Sequence, residues 1–169
     1  MNATSNVTLS LAVLDATEGS NIPSDQCLSE WASAAFANAA LNLCGAVDIA
    51  IRIVDELEMA DLNGRFRDKP SATNVLSFVN DDPPIMSSVG PQEAEAPPYW
   101  LGDIALCAAV IDREAVEQGK ALNDHYAHMV THGVLHLCGF DHQNDDDAQR
   151  MEALEVAILA QFGINNPYD

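Results

Sequence analysis

Three histidines at a spacing that can close a metal site stand in one short string: His132-Gly133-Val134-Leu135-His136-Leu137-Cys138-Gly139-Phe140-Asp141-His142. A helix turns about 100° per residue, so positions four apart share a face and His132 and His136 point the same way. Gly139 stands where such a helix would end in the left-handed conformation that glycine adopts without a Cβ penalty. The chain can turn there and deliver His142 to the same point. Three neutral imidazoles with an open fourth position describe a catalytic zinc. A structural zinc normally takes four protein ligands with cysteine prominent, and no fourth ligand stands beside these three. The string predicts one Zn2+ per chain on His132, His136 and His142.

The spacing equals that of the long zincin motif, H-E-x-x-H-x-x-G-x-x-H. A metallopeptidase places glutamate directly after the first histidine, as base for the zinc-bound water. Here that residue is Gly133, which has no side chain. Zinc can still lower the pKa of water to around 7 and polarise a phosphoryl oxygen. His125 and His128 fall within roughly 60° of the same helix face. Each reads as a partner behind the ligands, a cleft residue or a locally bonded histidine; His128, one turn before His132, is the better catalytic candidate. Asp141 adjoins a ligand and is a candidate orienter or proton acceptor, or a turn residue. Cys138 lies about 200° round the helix from His136 and reads as core.

The elements that must position these groups follow from periodicity and punctuation. Val7 to Leu14 is β-prone, and Pro23-Ser24-Asp25 caps an alanine-rich helix running towards Leu43. Ala46 to Val54 alternates with period two, as a half-buried strand does. Asp55 to Leu62 is helical and stops at Asn63-Gly64. Strands follow at Asn74–Val79 and Leu101–Cys107, and helices at Asp112–Gly119, Asp124–Cys138 and from the Asp145-Asp146-Asp147 run to about Phe162. Negative charge favours a helix N-terminus, so the acidic run reads as capping. The stretch from Asn80 to Pro98 is rich in Asp, Pro, Ser, Gly and Glu and reads as an acidic loop or insertion. The pattern predicts an α+β class: a single small mixed sheet of about four strands, packed with about five or six helices around a zincin-like metal site. The 169 residues fit one domain, 1–169.

Composition bounds the function. The formal net charge is −19, with only seven basic residues. Binding nucleic acid through a broad cationic surface is excluded by that balance. Acidity suits solubility and can attract basic partner proteins. Arg65-Phe66-Arg67-Asp68-Lys69 is the only concentrated positive charge. Scattered Cys27, Cys44, Cys107 and Cys138 predict reduced thiols rather than a disulfide scaffold. No apolar run approaches the roughly 20 residues of a membrane span, and no signal-peptide layout opens the chain. A cytoplasmic protein without membrane contact is expected.

Residues 132–142 match H-G-x-L-H-L-x-G-[YF]-D-H at every fixed position, and so resemble the YbeY endoribonucleases, or rRNA maturation factors. Leu62 to Arg67 is similar to that family's L-N-x-x-[YF]-R, Thr73 to Phe78 to its T-[DN]-V-L-S-F, and Leu101 to Ile104 to its L-G-D-I. His128, the stretch from Met151 through Glu155 to Gly163, and Asn166-Pro167-Tyr168 add to the likeness, which covers about residues 46 to 168. Val79 stands where the family commonly has proline. The resemblance implies a zinc-dependent, single-strand-specific endoribonuclease, a hydrolase of phosphoester bonds. It implies a role in small-subunit rRNA 3′ end maturation and ribosome quality control, with single-stranded RNA and the ribosomal small subunit or its basic proteins as partners and no DNA. The family's functional arginine maps onto Arg67, whose guanidinium can grip a phosphate bidentately. Arg65 and Lys69 read as surface charge. Two other classes stay open: a non-catalytic ribosome assembly factor with a structural zinc, and a metallohydrolase of another substrate, against whose peptidase form Gly133 counts.

Overall fold

The computed structural model describes residues 7–17, 19, 21–41, 43–82 and 97–169, so most of the acidic 80–98 stretch lies outside the described residues. Among them the chain runs β1 (Val7–Asp15), α1 (Asp25–Asn38), β2 (Gly45–Val54), α2 (Glu56–Arg67), β3 (Val75–Val79), β4 (Tyr99–Cys107), α3 (Ala108–Gln118), α4 (Leu122–Leu137) and α5 (Asp145–Ala160). This is the expected α+β class, one mixed four-stranded sheet with five helices. The sheet order is β1-β2-β4-β3. β1, β2 and β4 are parallel, and β3 runs antiparallel to β4 along one edge.

Period-two alternation sorts side chains between two cores. Val47, Ile49, Ile51 and Ile53 of β2 face a large cluster with Leu28 and Trp31 of α1, Val130 and Val134 of α4, and Ile158 of α5. On the other face Val54 joins Met59 of α2, Leu76, Ala105, Cys107 and Val110 in a smaller cluster. Burying such a side chain contributes about 1.5–3 kcal/mol. Eleven residues of α4 are buried, which makes this helix a rigid platform for its histidines.

Four helix ends differ from expectation, each for a local reason. α2 does not stop at Asn63-Gly64 but continues to Arg67. Asn63 is satisfied in mid-helix by donating its side-chain amide to Ser71 O at 2.8 Å. Pro70 packs over Gly64 at ordinary contact distance, 3.5 Å from where a Cβ would stand. The stop comes at Asp68, in the left-handed region at φ 56°, with Lys69 N–H on Asn63 O at 3.2 Å. α1 ends at Asn38, short of Leu43, where the Asn38 amide takes Ala34 O at 2.7 Å and Ala40 turns to φ 52°. α3 starts at Ala108, directly off β4, rather than at Asp112. The cap of α5 is Asn144, whose side chain accepts from Asp147 N–H at 2.9 Å; the three aspartates fill the first turn.

Two glycines set how close α4 lies to the sheet. A Cβ on Gly102 would fall 2.3 Å from Phe78 O and 2.7 Å from a Leu137 methyl, at a register shift where β4 bulges against β2. A Cβ on Gly133 would meet two Ile104 carbons at 3.1 Å and Ser77 Oγ at 3.3 Å. Ser77 Oγ donates to Gly133 O at 2.9 Å, pinning edge strand β3 to α4. The position after His132 is therefore packed against the sheet, with no space for the zincin glutamate.

Candidate functional site

His132 and His136 lie one turn apart on α4, as their spacing requires. α4 then closes with a paired C-terminal turn: Gly139 N–H bonds His136 O at 3.0 Å and Phe140 N–H bonds Leu135 O at 3.0 Å. Gly139 takes φ 96° to make it, a conformation that glycine reaches without Cβ strain. Asp141 Oδ1 accepts from His142 N–H at 2.7 Å and fixes the last step of the turn. One ligand nitrogen from each of His132, His136 and His142 falls within 4.8 Å of the others.

The donor chemistry suits a metal. His132 Nδ1 lies 2.5 Å from Glu155 Oε1. Burial would raise the Glu155 carboxyl, but hydrogen bonds from His128, His132 and Tyr168 outweigh it and hold it at about 2. An ionised carboxylate only accepts, so His132 Nδ1 carries the proton and Nε2 presents its lone pair. That Nε2 sits 3.0 Å from His136 Nε2. Zinc–nitrogen bonds of about 2.0–2.1 Å place tetrahedral ligands about 3.3 Å apart, so this pair is close to the spacing a metal needs. Burial first, then His132 and His142, push His136 down to about 4, which keeps it neutral at pH 7.

A cleft of about 620 Å3 opens over the triad. It is lined by the three histidines, Asp141, Arg67, Lys69 and the edge strand. Asp141 is the only carboxylate among its described lining residues. Extending α2 to Arg67 is what brings the guanidinium here, with Nη2 donating to Ser77 O at 3.3 Å. Bonding to β4 by Asn74 O and Asn80 N–H puts alternate residues on the ladder and leaves the backbone of Ser77 on the open side of β3. The cations are distributed unevenly. Arg52, Arg65 and Arg113 pair with Glu58, Asp61 and Glu56, and Lys120 binds Pro167 O. Among the described residues Arg67 and Lys69 make no ion pair, so the cleft holds local positive charge in an acidic chain.

The remaining candidates lie behind the triad. His128 is buried against Glu155 Oε2 at 3.4 Å and Tyr168 OH at 3.3 Å, and does not line the cleft. His125 Nε2 bonds Glu114 Oε2 at 2.8 Å, away from the triad. Cys138 packs against the large core, where burial pushes its thiol up to about 12. Sequence reasoning gave no role to Glu155, Tyr168 or Glu114. Glu155 and Tyr168 lay inside stretches that resembled a family, but nothing in their spacing tied them to the histidines.

The sequence profile of the family described as Endoribonuclease YbeY matches residues 13–163. The chain belongs to the YbeY endoribonuclease family. Endoribonuclease YbeY of Stenotrophomonas maltophilia (strain R551-3) is 44% identical over 162 residues, 96% of this chain and 94% of that protein. Its counterpart in Alteromonas mediterranea is 46% identical over 151 residues, 88% of this chain and 86% of that one. The solution structure of a Thermotoga maritima protein shares the fold at TM-score 0.54 and 19% identity, covering 95% of this chain and 96% of its own. The YbeY likeness thus reaches well before residue 46, into β1. Its motifs converge: Asn63 and Arg67, Thr73 to Ser77 and the histidines of the string border one cleft, and Gly102 allows the packing beneath it.

Proposed function

We propose that this protein is a zinc-dependent, single-strand-specific endoribonuclease, a single domain across residues 1–169, with one Zn2+ on His132, His136 and His142. One observation carries this: the histidine triad and two cations without ion-pair partners among the described residues, Arg67 and Lys69, border the same cleft. Zinc bound there supplies a Lewis acid for a phosphoryl oxygen and acidifies a nearby water. The rest is done by the chain. Arg67, which among the described residues makes one bond, to Ser77 O at 3.3 Å, takes a phosphate with its guanidinium fork and stabilises charge that develops on it. Asp141 is the proton acceptor beside the triad, for the proton of a water or of the RNA 2′-hydroxyl. Glu155 keeps the His132 ring oriented and its Nε2 unprotonated. Gly133 supports phosphoester over peptide hydrolysis, because the sheet occupies the space a zincin base would need.

Substrate and setting follow from charge. A net charge of −19 repels RNA at long range, but a Debye length of about 8 Å at physiological salt confines that repulsion. The same acidity favours docking beside basic proteins of the ribosomal small subunit. The family resemblance points to maturation of the small-subunit rRNA 3′ end and to ribosome quality control, in the cytoplasm and without DNA. Among the described residues no helix is long and apolar enough to cross a membrane. The test is to quantify bound zinc and assay single-stranded RNA and a peptide library with wild type, His136→Ala and Arg67→Ala. RNA cleavage lost in both variants, with zinc lost only in the first, is expected. Undiminished cleavage by folded, metal-free His136→Ala would overturn the mechanism, and ribosome association without cleavage would make the protein an assembly factor.

A further inference from the structure

We infer that Tyr168 is a positioning residue of the metal site, holding Glu155 and through it the ring of His132. The inference rests on the metal reading above. After α5 the chain reverses at Gly163, φ 72°, with Ile164 N–H on Leu159 O at 3.1 Å. The tail is then tied by Lys120 Nζ, which donates to Pro167 O at 2.9 Å, and is shaped within itself by Tyr168 N–H on Asn166 Oδ1 at 2.8 Å. This returns the Tyr168 ring edge-on to His128, with centroids 5.4 Å apart, and brings its hydroxyl to Glu155 Oε2.

The donor count explains why the hydroxyl matters. Glu155 is fully buried, and its Oε1 is taken by His132 Nδ1–H. Its Oε2 needs a donor of its own, because a buried carboxylate oxygen without one is costly. Tyr168 O–H is the closer donor, while His128 Nε2 is shared, 3.3 Å from the phenol oxygen and 3.4 Å from Oε2. The donors converge on Glu155, from His128 through Tyr168 on one oxygen and from His132 on the other. Remove the hydroxyl, and Oε2 keeps only the 3.4 Å contact with His128. The terminal carboxylate torsion is soft, so Glu155 and the His132 ring then lose their fixed orientation. Tyr168 is 46% exposed, so Tyr168→Phe deletes the hydrogen bond while leaving the ring's packing in place.

The experiment compares full-length wild type, Tyr168→Phe and Lys120→Met, which loosens the tail but keeps the hydroxyl. Zinc affinity is measured by chelator competition, the visible spectrum is recorded with Co2+ at the site, and thermal unfolding is followed without metal. For Tyr168→Phe we expect about tenfold weaker zinc binding and an altered cobalt spectrum. Metal-free unfolding of Tyr168→Phe should fall only modestly below wild type, from the donor lost to Glu155 Oε2, and Lys120→Met should lose part of the same zinc affinity. Wild-type zinc affinity and cobalt spectrum in both variants would overturn the inference alone. Wild-type protein that takes up no metal would overturn it together with the metal reading.

Discussion

His125 and His132 lie two turns apart on α4, and each has a carboxylate within hydrogen-bond reach. Glu114 Oε2 stands 2.8 Å from His125 Nε2, and Glu155 Oε1 stands 2.5 Å from His132 Nδ1. The pairing chemistry is the same, but the engaged nitrogen differs. His125 spends its outer nitrogen on Glu114, which also accepts from Asn74 Nδ2 at 3.1 and 3.2 Å and so ties α3 to the start of β3. Its Nδ1 is buried without a partner, and burial lowers its pKa despite Glu114. His132 spends its inner nitrogen and leaves Nε2 facing His136. One pair is a clamp, and the other leaves a ring nitrogen open towards the triad. The choice of ring nitrogen, more than the presence of a carboxylate, separates structure from chemistry here.

Exchanging the two histidines in turn breaks the comparison most sharply. His132→Ala should abolish both stoichiometric zinc and RNA cleavage, read by metal analysis and a gel assay. His125→Ala should keep zinc and cost about 2 kcal/mol of stability in urea unfolding, from the donor lost to Glu114. Arg67 belongs to neither pair and separates holding the metal from using it. Arg67→Ala should lower kcat/KM on single-stranded RNA about a hundredfold at unchanged zinc content and unchanged Tm. The carboxylates sharpen the contrast further. Glu155→Gln should weaken zinc binding by about 10–100-fold, whereas Glu114→Gln should leave the affinity as it was. The smallest effect tests the packing beneath His132: Gly133→Ala should cost about 1 kcal/mol by pressing on Ile104 and Ser77, with the zinc stoichiometry kept.

The triad was legible in the sequence because all three histidines come from one helix and its turn, where periodicity and a glycine fix geometry locally. The strands were legible for a similar reason, since Val47, Ile49, Ile51 and Ile53 alternate without interruption. The end of α2 was not. Asn63-Gly64 reads as a stop, and it is the distant Ser71 carbonyl, taking the Asn63 amide, that lets the helix run on to deliver Arg67 to the cleft. Glu155 and Tyr168 escaped for the same physical cause. Their partners are separated along the chain by 23 and 13 residues, and no local pattern encodes such contacts. His125 and His128 share a helix face with His132 and His136, but carboxylates from α3 and α5 decide their surroundings.

The central claim is that the histidine triad holds the metal on which RNA cleavage depends. It is tested most directly by stripping the purified protein with a chelator, confirming that it stays folded, and titrating Zn2+ back while following cleavage of single-stranded RNA. The account predicts no cleavage without metal and full recovery at one zinc per chain. Folded, metal-free protein that cuts RNA as fast as the reconstituted form would contradict it.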